Sequence, residues 1–417
     1  MLKLFSLAGL LLLLGGTPVF SQPPVQLSLK DAIGIALQQN PDIIGAHRGI
    51  DAARGRFWQG VSLPPPTLSL GYDYIPTGSS ISHYNERAIG ISQSFDFPST
   101  IFLRGSSLSS EIDATESDAR SLQLSVTMQV KLAYFAVLAK QRKLSLAEEN
   151  LRVAADFADK AGIRLNAGEG TNLELLTAKV ERTRAQNDVE VARNHLEVAT
   201  SELDLVLGRG TEHGGREYVL TDTLSHRPHT FAIESLIDHA QQSSPQIQSA
   251  QFRLNAASTR RTIAWSSILP SFTVSYARQA QGGNPDLYGV SFGLSLPIWF
   301  LLDQRGQIQE AAAEYARTES ELTARRLGVS LGVKVAYLQC TNDERQTALY
   351  ATDLLPQAEE VFRIASRGYL AGENSYIQLL HAQQTLISVR SASIDALYNY
   401  NASLSRLEYA VGRELVE

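Results

Sequence analysis

The chain contains little cysteine and no excess of basic charge. Its 417 residues include one cysteine, Cys340, which excludes disulfides within the chain and metal clusters built from cysteine. Lysine and arginine total 37 against 43 acidic residues, the formal net charge is −6, and no block of basic residues occurs. This balance argues against nucleic acid as a partner.

Signals for catalysis and for bound metal are also scarce. The sequence has no H-E-x-x-H motif and no phosphate-binding loop, and its histidines do not show the spacing of metal ligands. We therefore expect a protein that is not an enzyme and that holds no cofactor.

The N-terminus has the pattern of an export signal. MLKLFSLAGLLLLLGG combines Lys3 with an apolar run of about a dozen residues, and small residues follow as far as Ser21. This predicts a secretory signal peptide over residues 1–21 rather than a retained anchor, because a helix needs about 20 apolar residues to span a bilayer. After residue 21 we expect no other run long and apolar enough for a transmembrane helix.

The rest of the chain contains one pattern twice. AGEGTNLELLTA, which begins at Ala167, returns 204 positions later as AGENSYIQLLHA. NPDIIGAHRGIDAARG, which begins at Asn40, returns at the same offset as SPQIQSAQFRLNAAST. We place repeat one at about 28–208 and repeat two at about 232–413, joined by a linker at 209–231.

Each repeat is predicted to begin with a helix and to continue with two strands. Asn40-Pro41 and Ser244-Pro245 each pair a capping residue with a proline at the first helical position. Apolar and small polar residues then alternate in PTLSLGYDY, AIGISQSFDF, PSFTVSY and YGVSFGLSLP. Strands of about 8 to 10 residues suit a tilted crossing of a bilayer. Because four strands cannot close a barrel, the pattern also fits a soluble sandwich with packed apolar faces.

A long helical hairpin is predicted after each strand pair. Residues 100–165 and 299–369 are rich in helix-forming residues and contain one proline, Pro356. Returning helices are expected over 171–207 and 375–411. Such lengths do not fit inside a compact globule, which favours a shared, elongated helical structure.

Two short turns connect the helices of these hairpins. Gly168 and Gly372 allow the chain to reverse. Thr171 with Glu174, and Ser375 with the residue three positions later, predict a capping box at the start of each returning helix.

The order of elements, their spacing and the turn sequences resemble TolC-type outer-membrane efflux proteins over residues 22–417. The resemblance implies a mainly α fold with transmembrane β structure, in which each chain carries duplicated helix, β-hairpin and long α-helical hairpin repeats. It implies a homotrimer in contact with outer-membrane lipid, whose chains share one 12-stranded β-barrel continued by a periplasmic α-helical barrel.

The resemblance also implies a function. Such proteins are passive exit ducts that dock with a periplasmic adaptor (membrane fusion) protein and an inner-membrane efflux pump, here expected to be of the resistance-nodulation-division type. Turns and chain length resemble members serving heavy-metal pumps; drugs or other small molecules are the alternative cargo, and a periplasmic helical adaptor or scaffold is the alternative class. The expected docking residues are Ala167, Gly168, Glu169, Thr171, Ala371, Gly372, Glu373 and Ser375.

A constriction of the periplasmic mouth is a further implication. Family members narrow it with acidic side chains one turn apart on the returning helix of the second hairpin. The matching positions here hold Gln378 and His381, a departure that puts an acidic constriction in doubt. Glu174 matches an acidic position of the family, and Tyr369 matches a tyrosine of the closed state. Capping alone also explains Glu174 and Gln378, and His381 is also consistent with a solvated helix residue.

Overall fold

A computed structural model describes residues 25–210, 218–226, 228, 231–282, 284, 286–296 and 303–415. The predicted signal peptide, residues 1–21, lies outside the described residues, as do parts of the predicted linker and the first residues of the tract predicted from 299.

Nine α-helices and six strands are assigned within these ranges. The helices are α1 (Leu29–Gln39), α2 (Pro41–Val61), α3 (Pro98–Asn166), α4 (Asn172–Val206), α5 (Ile233–Ser243), α6 (Pro245–Ser266), α7 (Asp303–Leu349), α8 (Leu355–Leu370) and α9 (Tyr376–Val411). The strands are β1 (Val25–Leu27), β2 (Thr67–Asp73), β3 (Glu86–Phe95), β4 (Tyr218–Leu220), β5 (Ser271–Gln281) and β6 (Leu287–Ser295).

Strands β2, β3, β5 and β6 form one antiparallel sheet in that order. The predicted alternation is confirmed, since the register sets apolar residues opposite one another: Leu68 faces Ile91, and Val274 faces Phe292. This face, called the outer face below, is exposed, with Leu68 at 75% and Phe292 at 68%. The soluble-sandwich alternative is therefore not what this chain forms, because nothing in the described chain covers the apolar side.

Helices α3 and α7 leave the sheet and run far beyond it. The 69 residues of α3 correspond to roughly 100 Å at 1.5 Å per residue. Near the sheet, α3 packs against α2 and α6, and α6 packs against α7. Farther away, α3 packs against α4 and α9, and α9 packs against α7 and α8.

Shorter helices stack end to end to match the long ones. Asn40, the N-cap of α2, accepts a hydrogen bond from Asp42 and donates its side-chain amide to the carbonyl of Val206 at the end of α4, at 2.9 Å. The amide of Gln246 in α6 likewise donates to the hydroxyl of Tyr409 in α9 at 3.2 Å. Helices α2 and α4 therefore form one interrupted column beside α3, and α6 and α9 form another beside α7.

The sequence analysis missed α1, α5 and the parallel pair formed by β1 and β4. Val25 pairs with Tyr218, far away in the sequence. Strands β1 and β4 and helix α1 pack on α3 and α4 in a core cluster that includes Leu27, Val130, Tyr134 and Leu203. Helix α5 packs instead on α7 and α9, through Leu236 and Ala240. The paired strands β1 and β4, called the strap below, lie across the hairpin helices. The strap therefore ties the start of the described chain and the linker to the middle of the molecule.

Two features of the long helices depart from the sequence prediction. One 18-residue window in α3 has a mean hydropathy of 1.3, enough by length and composition to span a membrane. The apolar residues Val126 and Val137 of α3 are buried in the core cluster, so packing accounts for them. The tract predicted over 299–369 is also interrupted, because Tyr350–Leu354 is a π-helical segment just before Pro356, which lacks the N–H that a regular turn requires.

Candidate functional site

The turn of the first hairpin, called tip one, is a tight reversal stabilised by the backbone. The α3 C-cap, Ala167, donates its N–H to Ile163. Gly168 follows with φ of +79°, in the left-handed region where glycine is favoured. The N–H groups of Glu169 and Gly170 then donate to the carbonyl of Arg164 at 2.9 and 3.1 Å.

Tip two repeats this backbone in the second hairpin. Ala371 caps α8, and Gly372 has φ of +76°. The N–H groups of Glu373 and Asn374 donate to the carbonyl of Gly368 at 2.8 and 3.1 Å. All eight predicted docking residues are exposed in the two tips.

Both predicted capping boxes are confirmed. The Glu174 N–H donates to the Thr171 hydroxyl at 3.2 Å, and the Thr171 N–H donates back to the Glu174 carboxylate at 3.4 Å. In tip two the Ser375 N–H donates to the Gln378 amide oxygen at 2.8 Å, and the Gln378 N–H donates to the Ser375 hydroxyl at 3.4 Å. Each returning helix therefore has a fixed start next to its tip.

An aromatic contact joins the two hairpins just above the tips. The Arg164 guanidinium of α3 lies 5.0 Å from the ring centre of Tyr369 in α8. Tyr369 is buried and meets Tyr376 of α9 edge to face, with ring centres 5.9 Å apart. Around these rings pack small and apolar residues of both hairpins: Phe157, Ala158, Ala161, Ala178, Ala365, Leu379 and Ala382.

The environment of Tyr376 also includes acidic groups of α4. Burial, followed by the charge of Glu181 and by Tyr369 and Glu174, raises the pKa of Tyr376 to about 12. Its hydroxyl is therefore neutral at ordinary pH. The sequence analysis missed Tyr376 and Arg164, because their role depends on contacts between hairpins; the helical spacing of Tyr376 and Leu379 is the only local signal.

The remaining constriction candidates lie on exposed helix surface. Gln378 and His381 are both exposed, one turn apart on α9, and Glu174 is half-buried at the start of α4. Tyr369, in contrast, is in the buried contact between the hairpins. The fold thus brings the four constriction candidates to the tip end of the molecule, but it does not place them all on one surface.

A polar link joins the hairpins farther from the tips. The Arg390 guanidinium of α9 bridges Glu149 of α3 at 3.0 Å and Glu359 of α8 at 3.1 Å. Beside it, the Gln383 amide of α9 donates to the side-chain oxygen of Asn150 in α3 at 2.9 Å. Both hairpins are therefore connected at two levels.

At the end of the molecule opposite to the tips, the second face of the sheet has small, uncharged side chains across its centre. Cross-strand rows on this inner face contain Ser69, Gly90, Ala277 and Gly289 in one row and Thr67, Ser92, Ser275 and Ser291 in the next. Such side chains leave space and offer hydroxyl groups to water. The inner face therefore suits the wall of an aqueous passage, while the apolar outer face suits lipid.

One catalytic spacing does occur on this face. Gly289 to Gly293 reads GVSFG, the G-x-S-x-G pattern of a hydrolase nucleophile. In hydrolases that serine stands on a sharp turn between a strand and a helix, whereas Ser291 lies inside β6 and pairs with Ser275. Ser291 therefore does not have the position of a hydrolase nucleophile.

Among the described residues there is no group of three or more histidine, cysteine or acidic residues able to hold a metal ion.

Comparisons with known proteins agree with this geometry. The family model described as "Outer membrane efflux protein" matches residues 32–209 and 236–413. The cobalt-zinc-cadmium resistance protein CzcC of Cupriavidus metallidurans is 22% identical over 405 residues, covering 95% of this chain and 93% of its own. The toluene efflux pump outer membrane protein TtgF of Pseudomonas putida is 23% identical over 425 residues, covering 94% and 84%.

Solved structures share the fold. The outer membrane protein VceC of Vibrio cholerae has a TM-score of 0.76 at 17% identity, covering 93% of this chain and 97% of its own. CusC, described as undergoing transmembrane channel formation, has a TM-score of 0.77 at 19% identity, covering 92% of both chains. The expected TolC-like architecture and outer-membrane location are confirmed, with the sheet in the membrane and the long helices in the periplasm. The chain belongs to the outer membrane efflux protein family.

Proposed function

We propose that this chain is the exit duct of a tripartite efflux system, and that its hairpin tips dock with a periplasmic adaptor that connects it to an inner-membrane pump. The observation that carries the proposal is the pair of matching, exposed tips at the ends of hairpins roughly 100 Å from the membrane sheet. Their backbone reversals are fixed by hydrogen bonds and capping boxes. A partner would therefore meet a preformed surface.

The tips provide the test. Replacing Gly168 and Gly372 by leucine adds bulk at two positive-φ positions that face open space, and resistance conferred by the efflux system should be lost. Gly412→Leu is the matched control, since Gly412 has φ of +85° and equally open surroundings at the far end of α9. Membrane insertion should be normal in all variants. Full resistance in the double variant would contradict docking at the tips.

We infer that three copies assemble into one barrel. Within the described sheet β2 and β6 each have one unpaired edge, which a bilayer does not tolerate. Because four antiparallel strands separate these edges, β6 of one copy can pair antiparallel with β2 of the next. Mass measurement in detergent should give a trimer; a monodisperse folded monomer would contradict this arrangement.

The helices also carry unmatched apolar surface at both lateral edges of the chain. On α4 this surface includes Val191, Val198 and Leu205, spaced by seven residues, and on α7 it includes Leu327 and Leu331. Exposed stripes of this kind are expected where neighbouring copies complete a helical barrel.

For the periplasmic mouth we propose a ring of His381 side chains, one from each copy, beside Gln378. Imidazoles gain positive charge as the pH falls from 8 towards 5, so acid should reduce cation selectivity. Single-channel currents of wild type and His381→Gln in planar bilayers provide the comparison. Equal pH profiles in the two proteins would show that His381 lies away from the conduction path.

The proposed cargo is heavy-metal cations, because the relative CzcC is described as a cobalt-zinc-cadmium resistance protein. Organic solvents are the competing class, since TtgF is described as part of a toluene efflux pump. Deleting the gene and measuring survival in cobalt, zinc, cadmium and toluene separates the two. Sensitivity to toluene alone would exclude the metal proposal.

A further inference from the structure

A cleft opens on the outer face of the sheet where β3 continues into α3. Phe95, Phe272, Val274 and Phe292 form its floor, and Ile101 and Phe102 of the first turns of α3 form its wall. Its volume is about 360 Å³, within the range of small ligand sites. Of the described residues that line it, Asp96 alone is polar.

The rings in this cleft are arranged by the sheet register. Phe95 and Phe272 are cross-strand partners, as are Val274 and Phe292, and the ring centres of Phe272 and Phe292 are 5.9 Å apart. The wall residue Phe102 is 78% exposed. Together with the floor of the cleft, this exposed ring forms one contiguous apolar patch, and contiguous exposed patches mark sites of membrane or ligand contact.

The position of the cleft limits what that neighbour can be. The outer face of the sheet is the membrane-facing surface, and the cleft lies at its periplasmic end, where the helices begin. Trp58 near the end of α2 and Trp265 near the end of α6 are 70% and 59% exposed at the same transition from helix to strand. Exposed tryptophans of this kind mark the interface between a bilayer and water.

We propose that this cleft holds an acyl chain of a phospholipid from the periplasmic leaflet of the outer membrane. The cleft adjoins the lipid-facing surface through Val274 and Phe292, so a chain can enter from the bilayer side. The polar neighbour on this face is Gln93, the cross-strand partner of Val274, whose amide donates a hydrogen bond to the carbonyl of Pro64 at 2.7 Å. At its rim the Asp96 carboxylate accepts a hydrogen bond from Arg104 at 2.9 Å, and Arg104 also donates to the carbonyl of Gly60 at 3.3 Å. This neutralised pair provides a polar boundary at the level expected for a headgroup.

Photo-crosslinking provides the test. The full-length protein is reconstituted in vesicles of phosphatidylethanolamine and phosphatidylglycerol that contain phosphatidylethanolamine with a diazirine on one acyl chain, and labelled peptides are mapped by mass spectrometry. We expect labelling concentrated at the peptides of Ile101 and Phe102, and retention of phospholipid by the detergent-extracted protein. Retention of detergent alone, or labelling spread evenly over the outer face, would overturn the proposal.

Three variants complete the experiment. Val274→Trp fills the cleft from its floor and Phe102→Gln removes its apolar wall, so both should reduce labelling at the cleft to the background level. Leu68→Gln is the matched control, because Leu68 is 75% exposed on the same face but lies on the edge strand outside the cleft, and it should label as wild type. Unchanged labelling in Val274→Trp would contradict the site even if Phe102→Gln failed to insert. Lipid labelling does not require an adaptor or pump, so this result is independent of the proposed docking.

Discussion

Tip one and tip two have the same backbone conformation but differ at two positions that face each other, one on the helix and one in the turn. In tip one the helix carries Arg164 and the turn carries Gly170; in tip two the helix carries Gly368 and the turn carries Asn374. A Cβ at Gly368 would lie 2.2 Å from the Asn374 amide nitrogen, and a Cβ at Gly170 would lie 3.2 Å from the Cβ of Arg164. The comparison shows that the helix position and the turn position lie close together in both tips. One of the two residues must therefore be glycine, and it is the turn residue in tip one and the helix residue in tip two.

The exchange gives the two tips different chemistry. Arg164 extends from tip one to the ring of Tyr369, whereas the Asn374 amide stays within its own hairpin, 3.5 Å from the carbonyl of Ala365. In the described structure the Nε atom of Arg164 is buried without a hydrogen-bond partner. The cation–π contact between the hairpins is therefore made by Arg164 of tip one, and the matching position of tip two, Gly368, has no side chain to make an equivalent contact.

The returning helices differ in a similar way at their far ends. Asp204 near the end of α4 and Glu408 near the end of α9 occupy matching positions of the two repeats. Asp204 accepts a short hydrogen bond from Tyr218 of the strap, while Glu408 accepts one from Lys131 of α3 at 2.8 Å. One repeat thus uses a neutral partner and the other a buried ion pair.

The largest effect is expected from breaking that ion pair. Lys131→Met leaves Glu408 buried without its counter-charge, and both side chains are nearly buried, at 11% and 10% exposure. We expect a loss of about 3 kcal/mol in the free energy of unfolding. Asp204→Asn is the matched change in repeat one; it keeps a hydrogen-bond acceptor for Tyr218 and should cost about 1 kcal/mol. Equal losses, measured by denaturant unfolding, would remove the distinction between the two ends.

The same pair has a pH signature. Burial lowers the pKa of Lys131, but hydrogen bonds and charges from Glu408 and Glu414 outweigh burial, so the pKa is raised above 10.5. Its contribution to stability is complete below the unfolded value of 10.5 and is lost as the pH rises through the higher folded value. The stability gap between wild type and Lys131→Met should therefore be constant near pH 8 and narrow above pH 10.5.

A smaller effect is expected from adding a methyl group at tip two. Gly368→Ala pushes against the Asn374 side chain and should destabilise the protein by about 2 kcal/mol, the usual cost of overpacking. Adding Asn374→Gly should restore most of this loss, because it recreates the arrangement of tip one. A double-mutant cycle measures the coupling; additive losses would show that the two positions are independent.

Tip one supplies the control for that cycle. A Cβ at Gly170 would lie 3.1 Å from the backbone nitrogen of Leu165 as well as close to Arg164. Shortening Arg164 should therefore fail to rescue Gly170→Ala, because the backbone contact remains. Rescue at both tips would indicate that side chains alone set the fit.

The smallest effect is expected at the link between the hairpins. Arg390→Gln removes both ion pairs, but Glu149 and Glu359 are about half exposed, so the loss should be about 0.5 kcal/mol. Hydrogen exchange should nevertheless rise in both α3 and α8 near the link. Arg363→Gln is the control, because Arg363 pairs with Glu360 in its own helix. Faster exchange in α8 alone after Arg390→Gln would show that the link does not couple the hairpins.

The sequence predicted those features that depend on neighbouring residues. The starts of α2 and α6, the four sheet strands and both capping boxes were predicted from local patterns, and all are confirmed. The capping role predicted for Ser244 is not, because its side chain makes no capping hydrogen bond at the start of α6. The parallel pair of β1 and β4 could not be predicted, because each strand has three residues and its partner is far along the chain. Pro356 was recognised as an isolated proline in a helical tract, but its π-helical segment depends on how the helix accommodates the missing N–H.

The candidate site shows the same limit. The tip residues were found because glycine and capping patterns are local. Arg164 and Tyr376, in contrast, matter through contacts between hairpins about 200 residues apart: Arg164 with the ring of Tyr369, and Tyr376 with the residues of α3 and α4 around it. The roles of His381 and Gln378 in a constriction stay predictions. Their surroundings in an assembly depend on symmetry, which one sequence does not encode in any short motif.

The open edges of the four-stranded sheet have a consequence for biogenesis. A single chain entering the bilayer would expose two rows of unpaired backbone groups to hydrocarbon, at a cost of several kcal/mol for each group. Insertion is therefore favourable only for a closed ring, so the membrane itself selects against incomplete assemblies. Newly exported chains therefore need their strand edges shielded until enough copies have met to close the ring.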